Sequence, residues 1–450
     1  MRFCITTLGC KVNQYESQAI ARMLTMRGHE RVAPGERCDI CVINTCAVTT
    51  ESARKSRQAI HRMKKTEPDA LVAVCGCLSQ LDPELIAAYG VDLVGGSGER
   101  KKFTIEVEQL CSGSVAKESP ERPDQHKIIT DDPTLRTECE DLPTAADLPL
   151  VRSIDPFSRT RALLKIQDGC DNNCTYCVIP LARGRARSLP VILAADHARK
   201  LAESGYREIV VTGIEISSYG NDLVGKQTLA DAVCAIGAAA SGTRIRLGSL
   251  DPCIVTEAFC EKLSSVPNLC DHFHLSLQSG CDDTLRRMGR TYSTYQVLES
   301  ISSIRRLFPL CGITADLITG FPGESGTEFN ETLRFMKNAA FSGMHVFPFS
   351  PRPGTIAATM SGQIDKKVRQ ERARSAASVA VEMANSFRHS LVGETVEVLF
   401  ERKREAAWIG HSSNYIEVAV ECGGKRRDLK NSISNVKITD VENGLAWGRV

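Results

Sequence analysis

Short apolar runs alternate with helical patterns along the first hundred residues of the chain. Three runs have the composition of buried strands, namely Phe3–Leu8, Ile40–Asn44 and Leu71–Val74. A helical pattern, Ser17–Arg27, follows the first run and ends at Gly28. Because parallel strands buried on both faces are continuous apolar runs joined through helices, this alternation predicts a small parallel α/β sheet.

The alternation returns on a larger scale beyond residue 152. Six apolar runs separated by helical patterns are expected to be strands: Ala162–Ile166, Glu208–Thr212, Arg244–Gly248, Phe273–Leu277, Ile313–Ile318 and Gly343–Phe347. Six βα units in succession predict a partial TIM-like (βα)6 barrel. Its chemistry would lie at the C-terminal ends of the strands.

The last part of the chain changes character. Residues Ile364–Arg388 form a charged helical pattern, and short β-rich runs follow at Thr395–Phe400, Tyr415–Val420 and Asn435–Thr439. These runs predict a small β-barrel. The whole pattern divides the chain into an N-terminal α/β domain (1–112), a linker or insert (113–152), a central barrel (153–388) and a C-terminal β-barrel (389–450).

Charge is concentrated rather than spread evenly. The 450 residues carry a net charge of only +2. Residues 118–150 contain nine acidic and three basic residues, so this segment has a charge of −6 and the rest of the chain +8. Five prolines in the segment favour a linker or a surface excursion. Without an apolar run of about 18 residues or a signal-peptide pattern, we expect no membrane association and a cytoplasmic location.

The chain has 19 cysteines, which in a reducing cytosol suggest metal ligands or catalytic groups before disulfides. Three of them, Cys170, Cys174 and Cys177, lie within eight residues and directly follow a predicted strand. Thiolates this close bind zinc or an iron–sulfur cluster jointly. A fourth local ligand is lacking, which favours a cluster with one open iron over structural zinc.

Each of the three N-terminal runs is also followed by a cysteine, namely Cys10, Cys46 and Cys77. The carboxyl ends of parallel strands meet at one edge of a sheet, so these thiols are expected to converge. Cys75 is an alternative to Cys77, and packing as small buried residues is the alternative for all of them. Cys38 and Cys41 begin a strand, which favours packing.

The spacing of Cys170, Cys174 and Cys177 resembles the radical S-adenosylmethionine (SAM) superfamily, in which the open iron chelates SAM and reduction yields a 5′-deoxyadenosyl radical. This resemblance implies further SAM contacts at later strand ends. The implied residues are Tyr176, Gly213, Glu215, Ser276 and Gln278. His272 and His274 alternate with core residues, which favours a structural role for both.

Five segments together resemble the methylthiotransferases over nearly the whole chain: 7–16, 44–46, 76–80, 170–177 and 348–355. The resemblance implies two 4Fe-4S clusters. The auxiliary one is held by Cys10, Cys46 and Cys77, and the radical SAM one by Cys170, Cys174 and Cys177. It also implies a C-terminal TRAM module that binds RNA.

The sequence Thr7-Leu-Gly-Cys-Lys-Val-Asn-Gln14 resembles the MtaB-type group. That group adds a methylthio group to carbon 2 of threonylcarbamoyl-adenosine at tRNA position 37. The alternatives are isopentenyl-adenosine in tRNA, an aspartate of a ribosomal protein, or a non-enzymatic RNA-binding protein with structural zinc. The resemblance also implies a sulfur source and an electron donor of flavodoxin or ferredoxin type as partners.

Basic residues near the predicted active face and in the C-terminal module are candidate phosphate contacts. They are Arg183, Arg185, Arg187, Arg402, Lys403, Arg404, Lys425 and Arg426. Trp408 and Tyr415 are candidate stacking rings for bases. Arg183 and Arg187 could instead shape the SAM pocket.

Overall fold

A computed structural model of the chain describes residues 1–113, 127–140, 142, 160–422 and 428–450. Lys425 and Arg426 lie outside these ranges. The described residues form an N-terminal sheet with its helices, a central strand array with helices around it, and a closed C-terminal barrel. Within the described ranges, no helix is both long and apolar enough to cross a membrane.

The N-terminal unit is a parallel sheet in the order β2-β1-β3-β4-β5-β6. Its strands are β1 (Arg2–Thr7), β2 (Glu30–Arg31), β3 (Ile40–Thr45), β4 (Leu71–Gly76), β5 (Leu93–Gly95) and β6 (Lys127–Ile129). Its helices are α1 (Lys11–Met26), α2 (Thr50–Thr66), α3 (Cys77–Leu81), α4 (Pro83–Ala87) and α5 (Arg100–Ser112). All six residues of β3 are buried, as expected for a strand covered on both faces. The predicted parallel sheet is confirmed.

Part of the predicted linker is integrated into the fold. Strand β6 pairs with β5 at the edge of the N-terminal sheet. Cys139 is buried in the core of the central unit, and Leu142 in the core of the N-terminal one. The expectation of a surface excursion is therefore wrong for the described residues 127–140 and 142. Its few apolar residues anchor it to both units despite its charge.

The central unit is an open arc of six strand positions. The strands β7 (Arg161–Lys165), β10 (Glu208–Thr212) and β11 (Arg244–Leu247) form one parallel sheet, and β12 (Ser249–Leu250), β13 (His272–Gln278), β14 (Gly312–Thr319) and β15 (Gly343–Pro348) form the next. A short antiparallel pair, β8 (Gln167–Asp168) and β9 (Arg187–Ser188), lies beside β7. Gly248 separates β11 from β12, which together occupy the third position. The predicted partial barrel is confirmed.

Helices surround this arc and lead out of it. They are α6 (Ile179–Arg183), α7 (Val191–Glu203), α8 (Leu229–Ala239), α9 (Glu257–Ser264), α10 (Asp282–Arg287), α11 (Thr294–Leu307), α12 (Gly326–Ala339), α13 (Ile356–Thr359) and α14 (Lys366–Ser390). The last of these is the predicted charged helix.

The C-terminal unit is a closed barrel in the order β16-β17-β18-β20-β19. Its strands are β16 (Thr395–Arg404), β17 (Ala407–Ser412), β18 (Glu417–Glu421), β19 (Ile433–Glu442) and β20 (Leu445–Arg449). The sequence pattern missed β17 and β20, each of which contains a glycine. A Cβ on Gly410 would lie 2.1 Å from the Leu399 carbonyl oxygen, so this glycine permits a close strand approach.

Candidate active site

The cysteine-rich loop follows β8 and begins at a glycine that the fold requires. Gly169 has φ +70°, and a Cβ there would lie 1.8 Å from the Arg185 carbonyl oxygen. This close approach holds the start of the loop against the segment after α6. Cys170, Cys174 and Cys177 are therefore presented beyond the carboxyl end of the first barrel strand.

Each thiol of this loop accepts a hydrogen bond from an N–H group. The backbone N–H groups of Asn172 and Ile179 donate to the Sγ atoms of Cys170 and Cys177, both at 3.4 Å. The Arg290 guanidinium donates to Cys174 Sγ at 3.1 Å. Such donors stabilise thiolates, and hydrogen bonds to ligand sulfurs are one means of setting a cluster's potential.

The second set of cysteines lies where three adjacent N-terminal strands end. Cys10 immediately precedes α1, Cys46 follows β3, and Cys77 is the first residue of α3. A Cβ on Gly9 would lie 2.9 Å from Cys46 Sγ, so Cys46 packs directly against the residue before Cys10. The thiols of Cys10 and Cys46 both interact electrostatically with Cys77. The structure thus brings the three predicted residues together.

Burial controls the protonation of these thiols. It raises the pKa of Cys46 to about 11, and the pKa of Cys170 and of Cys177 to about 12. Such groups are protonated at neutral pH unless a cation binds them. Within the described ranges, no three Cys, His, Asp or Glu side chains are placed to hold a single metal ion. A 4Fe-4S cluster distributes its ligands over separate irons, so it fits a wider set of thiols.

A buried ion network joins the two cysteine sets. Arg183 Nε donates to Cys77 Sγ at 3.4 Å, while its Nη1 donates to Glu16 Oε1 at 2.7 Å and to Asp168 Oδ1 at 3.0 Å. Asp168 lies two residues before Cys170. Lys165 Nζ reaches both carboxylates, at 3.3 Å for Glu16 and 3.0 Å for Asp168. The network therefore ties the N-terminal sheet to the cysteine loop of the barrel.

The acids of this network are held in their charged form. Glu16 is 1% exposed, and although burial opposes ionisation, Arg100, Arg183 and Lys165 lower its pKa to about 2. Burial likewise opposes ionisation of Asp168, while Lys165 and the neighbouring arginines hold its pKa well below the ordinary value. The Cys177 thiol also interacts electrostatically with Cys77 of the other set. Both cysteine sets therefore face one region between the two units.

Sequence comparisons identify two matching regions. Residues 2–96 match the family described as Uncharacterized protein family UPF0004, and residues 164–336 match the Radical SAM superfamily. The threonylcarbamoyladenosine tRNA methylthiotransferase MtaB of Bacillus subtilis is 34% identical over 439 residues, which cover 96% of this chain and 92% of that protein. The chain belongs to the MtaB-type radical SAM methylthiotransferases. It is therefore a transferase.

Other relatives are similar over most of the chain, and one solved structure shares its fold. MtaB of Thermotoga maritima is 34% identical, with 88% of this chain and 86% of that protein covered. A tRNA-2-methylthio-N(6)-dimethylallyladenosine synthase of Frankia alni is 32% identical, with 88% and 76% covered. The radical SAM methyltransferase TsrM of Kitasatospora setae has the same fold with a TM-score of 0.55, at 13% identity and with 79% and 74% covered.

As a radical SAM enzyme, the methylthiotransferase takes an iron–sulfur cluster and SAM. The implied SAM contacts lie at the carboxyl ends of the barrel strands. Gly213 and Glu215 follow β10, and Ser276 and Gln278 lie in β13. Tyr176, which lies in the cysteine loop, packs against Phe321. Burial raises the pKa of Glu215. Gln278 has φ +65°, a rare conformation for a residue other than glycine, at an irregularity that ends the strand.

Arg290 is a residue of the methylthiotransferase site whose contacts no sequence motif indicates. Its Nη2 donates to Asp251 Oδ2 at 2.6 Å, and its side chain is 5% exposed. Glu16, Asn13 and Arg100 were missed altogether. A signal existed for two of them, because Asn13 and Glu16 are polar residues three positions apart on the buried face of α1.

The basic residues that were predicted to contact RNA differ in their solvent exposure. Arg183 is 0% and Arg187 3% exposed, so the prediction that they contact RNA phosphates is wrong. Arg183 instead serves the buried network, and Arg187 Nη1 donates to the Arg183 carbonyl at 3.0 Å. Both arginine side chains are buried because the buried carboxylates need cationic partners.

The other basic candidates of the methylthiotransferase remain accessible. Arg185 is largely exposed beside Asp171, and Arg402 is exposed and paired with Glu417. Lys403 and Arg404 are exposed at the end of β16. Tyr415 stacks between His272 and His411 with ring centroids 4.5 and 5.1 Å away, so its ring is already engaged within the protein.

Proposed function

We propose that this enzyme adds a methylthio group to carbon 2 of threonylcarbamoyl-adenosine at position 37 of tRNA. The observation that carries the proposal is that the Arg183 network links the two three-cysteine sets. The relatives of this chain include several MtaB proteins. The dimethylallyladenosine synthases, at similar identity, supply the second candidate substrate. Four MtaB proteins are 33–34% identical to this chain, against 31–32% for three of the synthases, which favours threonylcarbamoyl-adenosine.

The proposal includes two 4Fe-4S clusters, one held by Cys10, Cys46 and Cys77 and one by Cys170, Cys174 and Cys177. When bound, the clusters and SAM supply the radical and the sulfur chemistry that an unactivated C–H bond requires. The N–H donors on Cys77, Cys170, Cys174 and Cys177 suit thiolate ligands. Glu215, enclosed and close to the cysteine loop, is positioned to accept a hydrogen bond from the amino group of SAM.

The residues of this chain orient the two cysteine sets relative to each other and exclude water from the buried network between them. Arg183 and Lys165 fix the N-terminal sheet to the start of the cysteine loop, because both reach Glu16 and Asp168. Arg290 fixes Cys174 relative to Asp251. Such preorganisation matters because misplacing reacting groups by about 1 Å costs around a hundredfold in rate.

The proposal also covers partners. Arg185 near the cysteine loop, and Arg402, Lys403 and Arg404 on the C-terminal barrel, would contact tRNA phosphates. The enzyme further requires an electron donor of flavodoxin or ferredoxin type and a sulfur source. Since mature tRNA is the substrate, the enzyme would act in the cytoplasm.

Nucleoside mass spectrometry of cellular tRNA tests the substrate. A bacterial host lacking its own MtaB-type activity receives this gene or an otherwise identical Cys174→Ala gene. We expect the 2-methylthio derivative of threonylcarbamoyl-adenosine with the first gene only. Appearance of the methylthio group on dimethylallyl-adenosine instead, in a host lacking that second activity, would contradict the substrate assignment.

A further inference from the structure

The inner face of the central arc carries two exposed aromatic side chains on its edge strand, β15. Met344 and Val346 of this strand pack against the core of the central unit, so the residues that alternate with them face the inside of the arc. These residues are His345 and Phe347, and Phe347 is 43% exposed. Single exposed apolar side chains are common on an outer surface, but this one lies on the face that the open arc encloses.

Strand register places both rings beside the inner-face residues of β14. His345 is the register partner of Asp316, and Phe347 is the partner of Ile318. The ring centroid of His345 lies 6.5 Å from that of Phe347 and 5.9 Å from that of His274 on β13. Three neighbouring strands therefore contribute to one surface inside the arc, with the Phe347 ring at its edge.

The polar groups of this surface bind one another. His274 Nδ1 lies 2.9 Å from Thr314 Oγ1, and His274 Nε2 lies 3.2 Å from Asp316 Oδ2. The Phe347 ring has no polar atom to contribute, and it offers a flat apolar face instead. A nucleic-acid base fits such a face, because every base has a flat π-surface that stacks on an aromatic ring.

The position of Phe347 brings it close to the cysteine loop of the barrel. Ile318, its neighbour on β14, packs in a small apolar cluster that also includes Phe321, Phe349 and Tyr176. The ring centroids of Phe321 and Phe349 lie 5.2 Å apart, and those of Phe321 and Tyr176 lie 6.3 Å apart. Since Tyr176 belongs to the cysteine loop, the ring of Phe347 lies next to the wall that supports this loop.

The loop after β15 also contacts the N-terminal unit. The Thr50 N–H donates to Ser350 Oγ at 2.9 Å, and the two hydroxyl oxygens lie 2.7 Å apart. Thr50 begins α2 and comes four residues after Cys46, while Ser350 comes three residues after Phe347. The inner face of β15 therefore lies between the segments that support the two cysteine sets.

The strand residues that are implied to contact SAM lie elsewhere on the arc. Gly213 and Glu215 follow β10, and Ser276 and Gln278 lie in β13. Strand β14 separates β13 from β15. The edge strand is therefore left for the second reactant, which must also reach the region between the cysteine sets.

We propose that Phe347 binds the target adenine by stacking and so holds its carbon 2 between the two cysteine sets. This inference rests on the proposed function, because a reaction at a ring carbon requires the base to leave its stack in the anticodon loop. An aromatic side chain stabilises such an unstacked base. His345 extends the surface beside the ring, on the side where the polar groups begin.

The test combines two RNAs with changes of one side chain. One RNA is an anticodon stem-loop with threonylcarbamoyl-adenosine at position 37, and the other has an abasic site there and is otherwise identical. Dissociation constants are measured by fluorescence anisotropy on anaerobic holoenzyme, together with KM and kcat for the first RNA. Phe347→Leu removes the ring and Phe347→Tyr keeps it, while Tyr295→Leu removes a ring that is 68% exposed on α11 and is the matched control.

We expect the wild type, Phe347→Tyr and Tyr295→Leu to bind the RNA with the base about tenfold more tightly than the abasic RNA. Phe347→Leu should bind both RNAs equally and should have a raised KM for the first RNA. The affinity for SAM is measured separately, and we expect the loss in Phe347→Leu to be confined to RNA. Iron content shows whether both cysteine sets are intact, and Phe347→Met replaces Phe347→Leu if the latter loses iron.

Three results would overturn the inference: equal binding of the two RNAs by the wild type, an unchanged preference in Phe347→Leu, or an equal weakening of both RNAs by that change. An unchanged preference with weaker SAM binding would assign the ring to the adenine of SAM, and equal weakening would indicate a general RNA contact. A wild type that prefers the first RNA but never methylthiolates it would instead contradict the proposed function, so the two failures are distinguishable.

Discussion

At the scale of single residues, the two cysteine sets were predictable and their surroundings were not. Local spacing identifies Cys170, Cys174 and Cys177. The ends of apolar runs indicate Cys10, Cys46 and either Cys75 or Cys77, and the family resemblance selects Cys77. The partners of Arg183 are up to 170 residues away in sequence, so no local pattern indicates them. The same arginine therefore looked like one of several surface bases.

Cysteine replacements should separate two roles. Cys174→Ala is expected to abolish SAM cleavage, whereas Cys46→Ala should retain cleavage and lose methylthio transfer, because each change removes a ligand from a different set. Each should lose about four of about eight irons per chain, measured on anaerobically purified protein. Cys234→Ala, outside both sets, is the control. Equal loss of SAM cleavage in Cys46→Ala and Cys174→Ala would argue against separate roles.

Glu16 should be a major determinant of stability. Glu16→Gln leaves Arg100, Arg183 and Lys165 buried without their shared counter-charge, at a cost of about 3–5 kcal/mol. Calorimetry should show a lower unfolding temperature. Glu51→Gln, which alters an exposed pair on α2, should change it little.

The pH dependence of the Glu16 effect follows from its lowered pKa. Stability from a carboxyl whose folded-state pKa is depressed is fully present above the unfolded value, near 4.5, and is lost only as pH falls towards about 2. The difference in unfolding temperature between wild type and Glu16→Gln should therefore stay constant from about pH 6 to 8. A difference that disappears within that window would contradict the assigned charge state.

At the scale of elements, the order of strands was predictable because each buried parallel strand is a continuous apolar run. The six barrel strands agree with their predicted positions to within a residue or two at each end. Helix α1 begins at Lys11 rather than Ser17, because its first turns carry the polar residues that serve the site. The described part of 113–152 was mispredicted because its many charged residues and prolines indicate a surface segment, and only a few of its residues are buried. The bounds of the four domains remain predictions.

The turn from β4 into α3 should be essential for the auxiliary site. Gly76 has φ +110°, and an added Cβ would lie 2.4 Å from the Thr45 carbonyl oxygen. Gly76→Ala should therefore displace Cys77 and reduce iron at the N-terminal set while leaving SAM cleavage in place. The control is Gly28→Ala, where φ is +85° but no atom lies within 4 Å, so only backbone strain of about 1 kcal/mol is added. Similar iron loss in both variants would contradict this account.

At the scale of the whole molecule, the units are joined by buried charge rather than by apolar area alone. The C-terminal barrel is held by Arg246, whose guanidinium binds Glu208 and donates to the Ser412 and Ser413 carbonyl oxygens at 3.0 and 2.8 Å. The guanidinium carbon Cζ of Arg246 lies 4.9 Å from the centroid of the Tyr415 ring. None of these contacts follows from the strand pattern of either unit.

Arg246→Met should loosen this attachment. The change leaves Glu208 with one arginine fewer and removes the arginine donor from the Ser412 and Ser413 carbonyl groups, at a cost of about 3 kcal/mol. Limited proteolysis should cleave faster between α14 and β16, while Arg402→Met, an exposed residue within the barrel, should be cleaved at the wild-type rate. Equal rates for wild type and Arg246→Met would contradict the interface role.

The most direct measurement of the central claim is a competition between two substrates in one reaction. Purified holoenzyme, SAM and a reductant receive equal amounts of two anticodon stem-loops, one carrying threonylcarbamoyl-adenosine and one dimethylallyl-adenosine at position 37. Mass spectrometry of the digested nucleosides should show the methylthio group on the threonylcarbamoyl form. Transfer to the dimethylallyl form, or SAM cleavage with no methylthio product on either RNA, would contradict the account.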